Sequence, residues 1–269
     1  MAMTAPRAGS LRRSLGPERH AAEAPSPRAP GTPLILEFVG LPGAGKTTIA
    51  EQLMARLQSR GIVCADRQVV FPGSPSRAVR YAKLAAFAAR HPGVLLSSLA
   101  YALAVRPLTS ERMRCALTLL IWVHRLKLSR TRRFPLVLLH EGLVHNAWCV
   151  LLRGELRSDL VQRAALRSAL SSVGLPFAFV YLDVGLDVAI ERVGSRSTTP
   201  LFNRSNRPES ERLLVAHGPH LKRIFDHALE ITQAPHLRVD ANRPMEDVYD
   251  DVASFVDRLA EERGVAGCS

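Results

Sequence analysis

The chain has 269 residues, 47% hydrophobic and 22% charged, with a formal net charge of +12. That length suits one sizeable α/β domain or a core with a helical insertion, and the apolar share excludes a disordered or fibrous polypeptide. Cys64, Cys115, Cys149 and Cys268 are scattered without paired spacing, so neither a disulfide framework nor a zinc site is indicated, and a reducing, cytoplasmic setting is expected.

Residues 1–32 are rich in Pro, Ala, Arg, Gly and Ser and have no hydrophobic period, which predicts a disordered tail. The tail has no apolar stretch like the core of a secretory signal; it loosely resembles an organellar transit peptide, against which Glu18 and Glu23 count. Leu34 to Val39 is a short, mostly apolar run ending in glycine, as a buried strand of a parallel sheet would be. Thr47 to Ser59 places Ile49, Leu53, Met54 and Leu57 on one helical face, closed by Gly61. Ile62 to Ala65 is the next strand.

From Ser76 to about Ser129 the pattern is helical, and breaks at His91-Pro92-Gly93 and Arg106-Pro107 predict three helices. Leu136 to Leu139 reads as a fully buried central strand with His140, Glu141 and Gly142 at its end. A helix over Ser158 to Ser171, a strand over Phe177 to Leu182, a short strand over Leu237 to Asp240 and a terminal helix over Met245 to Glu262 follow. Strands alternating with helices predict a central parallel five-stranded sheet covered on both faces, a three-layer α/β sandwich. The longest apolar stretches, Val94 to Val105 and Ala116 to Val123, fall short of the roughly 20 residues that span a bilayer.

Gly40-Leu41-Pro42-Gly43-Ala44-Gly45-Lys46-Thr47 matches G-x-x-x-x-G-K-[ST], the phosphate loop, with the required strand before it and helix after it. Glycines let the backbone curl so that successive N–H groups face a phosphate, and a helix N-terminus favours negative charge. Gly40 to Thr48 are therefore expected to hold the triphosphate of a nucleotide. Lys46 would reach the β- and γ-phosphates, and the Thr47 hydroxyl would ligate Mg²⁺. Ligands should then collect at the carboxyl edge of the sheet. Glu141, ending a buried strand, is the candidate to orient the metal's water shell or accept a proton; the alternative is that it only favours the N-terminus of a following helix. His140 and His145 are five apart, which fails the zinc-protease spacing, and they read as structural histidines.

Tyr181 to Arg196 runs from a strand ending in an acid into a helix carrying Arg192 and Arg196 four residues apart, on one face. With the phosphate loop, this segment resembles the nucleoside-monophosphate kinase family, thymidylate-kinase-like and adenylate-kinase-like. The resemblance covers roughly residues 34–260 in order of elements. It implies a P-loop kinase-like domain over 33–269, in which Arg192 and Arg196 approach the nucleotide and residues 192–207 form a lid carrying Arg204 or Arg207. It also implies that the loop after Val239-Asp240-Ala241 packs against adenine. His140-Glu141-Gly142 departs from the family's usual Asp-Arg, so the acceptor stays open. The guanine motif Asn-Lys-x-Asp is absent.

Between Arg77 and Arg133 stand twelve Lys or Arg against the single acid Glu111, about +11 of the net charge. In this helical insertion, 77–133, a small anionic or hydroxyl-bearing acceptor would be drawn to Arg77, Arg80 and Lys83. Arg112 to Arg130, with Leu117, Leu120, Ile121, Trp122 and Leu128, also reads as a membrane-surface or polyanion helix, or as a core helix with a charged side. Nucleic acid and a homodimer stay open. The expected activity is an ATP-dependent phosphotransferase acting on a nucleotide or another small metabolite; the competing class is a nucleotide-binding regulatory or polyanion-associated module with little or no transfer.

Overall fold

The computed structural model describes residues 32–66, 77–129, 134–152, 154–194 and 207–264. The predicted tail, apart from Thr32, lies outside these residues, as do Arg196, Arg204 and the side chain of Arg207.

Five strands form the central sheet: β1 (Leu34–Gly40), β2 (Cys64–Ala65), β4 (Leu136–Leu139), β6 (Phe177–Asp183) and β7 (His236–Asp240). Their spatial order is β2-β4-β1-β6-β7, and every pairing is parallel. Parallel neighbours need crossover connections, which the helices supply. These are α1 (Lys46–Ser59), α2 (Arg77–Arg90), α3 (Pro92–Ala104), α4 (Ser110–Ser129), α5 (Leu143–Leu151), α6 (Asp159–Val173), α7 (Leu186–Gly194), α8 (Arg207–Thr232) and α9 (Met245–Glu262). A two-stranded antiparallel ribbon, β3 (Val105–Arg106) with β5 (Glu155–Leu156), links the insertion to the segment after α5. Its strands are too short to show a period, and the sequence does not mark them.

Two apolar cores lie on opposite faces of the sheet. Leu34, Leu36 and Phe38 of β1 pack with Ile49, Leu53 and Leu57 of α1 and with Val252 and Val256 of α9. Ile35 and Val39 face the larger core, built with Trp148 of α5, Tyr101 of α3, Leu119 and Leu120 of α4 and Phe225 of α8. Alternate residues of a strand point to opposite faces, so a strand at the sheet's centre must be apolar at every position. β1 obeys this except at Glu37, which is wholly buried.

Three helices span the segment read as helical, as expected, and α4 follows the reading as a core helix with a charged side. Leu120 and Trp122 are core residues, Leu117 and Ile121 are half-buried, and of the five apolar residues proposed for a surface face only Leu128 is exposed. Arg112, counted in the basic cluster, is also buried. Its Nε donates to the Val150 carbonyl at 3.0 Å and its Nη2 to the Leu152 carbonyl at 3.3 Å, satisfying groups left over at the C-terminus of α5. Arg90, Arg106 and Arg114 remain exposed. Among the described residues no helix is long and apolar enough to cross a membrane.

Candidate active site

The glycine-rich loop expected to bind phosphate joins β1 to α1 at the carboxyl edge of the sheet. Gly43 has φ +88°, and a Cβ there would lie 2.8 Å from the Ala189 carbonyl oxygen of α7. A left-handed conformation and a close approach together require glycine at this point. Lys46, the first residue of α1, is buried, and its Nζ donates to the carbonyls of Gly40 at 2.7 Å and Leu41 at 3.0 Å. The ammonium thus sits inside the curl of the loop. Thr47 and Thr48 are exposed in the first turn of the helix, where a hydroxyl can reach a metal or phosphate.

Arg192 comes to the same place from α7. Its Nη1 donates to the Ala241 carbonyl at 3.2 Å and lies 3.5 Å from the Gly43 carbonyl, joining the phosphate loop to the turn after β7. That turn is held by its own polar bonds. The Asp240 carboxylate accepts from the Asn242 backbone N–H at 3.0 Å and side-chain amide at 2.6 Å, and the Gly185 N–H donates to the Asn242 side chain at 2.8 Å. The two bonds from Asn242 hold the Asp240 carboxyl below its ordinary range. Met245, opening α9, packs against Gly45.

Glu141 follows β4 at the same edge, its side chain 41% exposed and its Oε1 3.9 Å from His145 Nε2, one helical turn on. The His145 ring is buried, 5.6 Å from the ring of Trp148, whose Nε1 donates to the His217 carbonyl at 2.7 Å and ties α5 to α8. Burial pushes the Cys149 thiol well up; the charge of Glu141 adds to that rise and the charge of Lys46 opposes it. Cys64, Cys115 and Cys149 are all free thiols.

The helix terminus that Glu141 could have served is served by another residue. Glu37 Oε1 accepts the N–H groups of Val144 at 2.8 Å and His145 at 3.3 Å, and Oε2 accepts that of Leu143 at 3.0 Å. Burial raises its pKa to about 7, against the opposing pull of these main-chain donors. The signal in the sequence was a lone acid inside an otherwise apolar central strand.

Among the described residues no group of three or more His, Cys, Asp or Glu is arranged to hold a metal. Mg²⁺ in phosphoryl-transfer sites commonly takes one or two protein groups, with phosphate oxygens and water as the rest, a set that Thr47 and Glu141 fit. A small apolar recess lined by Leu34, Leu57, Ile62, Pro135, Val256 and Leu259 lies at the opposite, amino-terminal edge of the sheet.

No protein-family model and no curated sequence matches the chain. Its fold is similar to that of deoxyadenosine kinase from M. mycoides in two solved structures. One holds the products dCMP and a flexible dCDP (TM-score 0.47, 15% identity) and the other dATP (TM-score 0.42, 14% identity). Each comparison covers 83% of this chain and 99% of the other.

Proposed function

We propose that the protein is an ATP-dependent phosphotransferase whose acceptor is a nucleotide or another small hydroxyl- or phosphate-bearing metabolite. The observation that carries this reading is the phosphate loop between β1 and α1, with the Lys46 ammonium inside its curl and Arg192 against its rim. Lys46 would neutralise charge at the β- and γ-phosphates, as would Arg192 from the α7 side. Gly40 to Thr48 would bind the triphosphate through main-chain N–H groups. Thr47 would hold Mg²⁺, which when bound supplies Lewis-acid stabilisation of the transferred phosphoryl group. Glu141 would orient the metal's water shell or take the proton of the attacking hydroxyl. Arg196 would approach the nucleotide beside Arg192, and Arg204 or Arg207 would close on the transferred phosphoryl group with the lid at 192–207. The basic insertion at 77–133, the tail at 1–32, a nucleoside-monophosphate-kinase-like core and a cytoplasmic setting belong to the same proposal.

Incubation with γ-labelled ATP and a panel of nucleosides, nucleoside monophosphates and sugars tests it. Label should pass to one acceptor class in a Mg²⁺-dependent manner. Tight ATP binding without transfer to any acceptor, and without hydrolysis, would favour the nucleotide-binding module instead.

A further inference from the structure

We infer that Glu37 is a positioning residue, which holds the turn carrying Glu141 in register with the phosphate loop; the inference rests on the role proposed for Glu141. The first turn of a helix leaves main-chain N–H groups without partners, and a side chain at the N-cap position commonly accepts them. At α5 that position is Gly142, which has no side chain to offer. The acceptor comes instead from β1, 106 residues earlier in the chain for Leu143. A cap supplied by residue 142 itself would fix α5 only to its own strand. Glu37 fixes it to the strand that, three residues on, becomes Gly40 of the phosphate loop.

The sheet register shows how close this coupling is. Glu37 pairs with Leu139, the last residue of β4, so the turn His140-Glu141-Gly142 crosses directly over the Glu37 carboxylate. A Cβ at Gly142 would collide with that carboxyl group, so the turn lies on it without space between. Glu37 touches no exposed part of the site, being wholly buried, and acts through main-chain N–H groups alone. Reacting groups displaced by an ångström can lose roughly 10²-fold in rate. A turn released from β1 should therefore misplace Glu141 while the phosphate loop, which is held by α1, α7 and α9 and makes no use of Glu37, keeps its grip on ATP.

The test is a double-mutant cycle on the full chain with Glu37→Gln and Glu141→Gln. Single-turnover transfer is read with γ-labelled ATP and the acceptor found in the panel, and ATP affinity is measured separately. Glu37→Gln should slow the chemical step about 10-fold with ATP affinity changed by less than about 2-fold, and should cost almost nothing further when Glu141 is already Gln. An equal loss in both backgrounds, or a normal rate for Glu37→Gln beside a slow Glu141→Gln, overturns the inference and leaves the role of Glu141 intact. A normal rate for Glu141→Gln overturns that role and the inference with it, as does an unaltered chain that transfers nothing. Should Glu37→Gln fail to fold, amide hydrogen exchange on the unaltered protein decides. Leu143 and Val144 should be protected like core amides, and exchange as fast as at an open helix terminus would overturn the clamp.

Discussion

The Lys46 ammonium donates to the loop carbonyls of Gly40 and Leu41, so its removal should fall on chemistry more than on stability. For Lys46→Ala, turnover should drop about 10²- to 10³-fold, the cost of losing one preorganised charge partner. The unfolding free energy should change by only about 1 kcal/mol. Steady-state kinetics beside a denaturant melt checks this, and wild-type turnover would remove Lys46 from the site. Glu37 carries a different signature, in pH. Its native pKa is raised from an ordinary 4.5 to about 7, so between those values the native state holds a proton that the unfolded state has released. The stabilisation tied to that proton is full below about pH 4.5 and is lost as pH rises through about 7, a change of about 3 kcal/mol. Glu37→Gln cannot ionise. The stability difference between wild type and variant should therefore move in the variant's favour between pH 5 and pH 8, and parallel stability profiles would show that Glu37 does not titrate in this range. Only part of this was legible beforehand. Lys46 is proposed from neighbours adjacent in sequence, whereas the partners of Glu37 sit on another element.

At the scale of elements, the helix pattern foretold three helices in the insertion because period and breakers are local. It left open what faces them. α4 reads as amphipathic and cationic, yet Leu120 and Trp122 are buried and Arg112 enters the core to meet carbonyls at the end of α5. Charge alone does not separate an arginine on the surface from one serving a helix terminus. Arg112→Lys tests the distinction. The ammonium keeps the charge but not the planar fork that reaches Val150 and Leu152 together, so the variant should lose about 2 kcal/mol in a chemical melt. A neutral result would mean that charge, not geometry, satisfies these carbonyls. The two-residue strands β3 and β5 were missed for a related reason, since their pairing joins segments that have no pattern of their own.

For the whole molecule, the phosphate loop is bound on several sides: by β1 and α1 in sequence, by α7 through Ala189 and Arg192, and by α9 through Met245. A ligand that recognises this assembled loop binds the native state only. Mg²⁺-ATP at about 100 times its dissociation constant should add about 2.7 kcal/mol, a rise in melting temperature of about 5–10 °C for a domain of this size. Calorimetry with ATP, with Mg²⁺ alone and with Lys46→Ala separates loop binding from non-specific anion binding by a basic chain. A rise unaffected by Lys46→Ala would place the nucleotide elsewhere.

The sequence by itself determined the glycine-rich turn between the first strand and the first helix, the alternation of strands and helices, and the parallel sheet buried on both faces. Each of these follows from residues within one turn or one strand of each other, where sterics and hydrophobic period act. The tertiary structure alone decided the strand order β2-β4-β1-β6-β7, the burial of Arg112 and the capping of α5 by Glu37. These depend on which distant groups pack together, and a buried polar group takes its role from whichever donor or acceptor the fold brings within reach. Glu37 is the clearest case: in the chain it is an acid in an apolar strand, and only the sheet sets it beneath the N-terminus of α5, where Leu143, Val144 and His145 supply the donors its carboxylate needs.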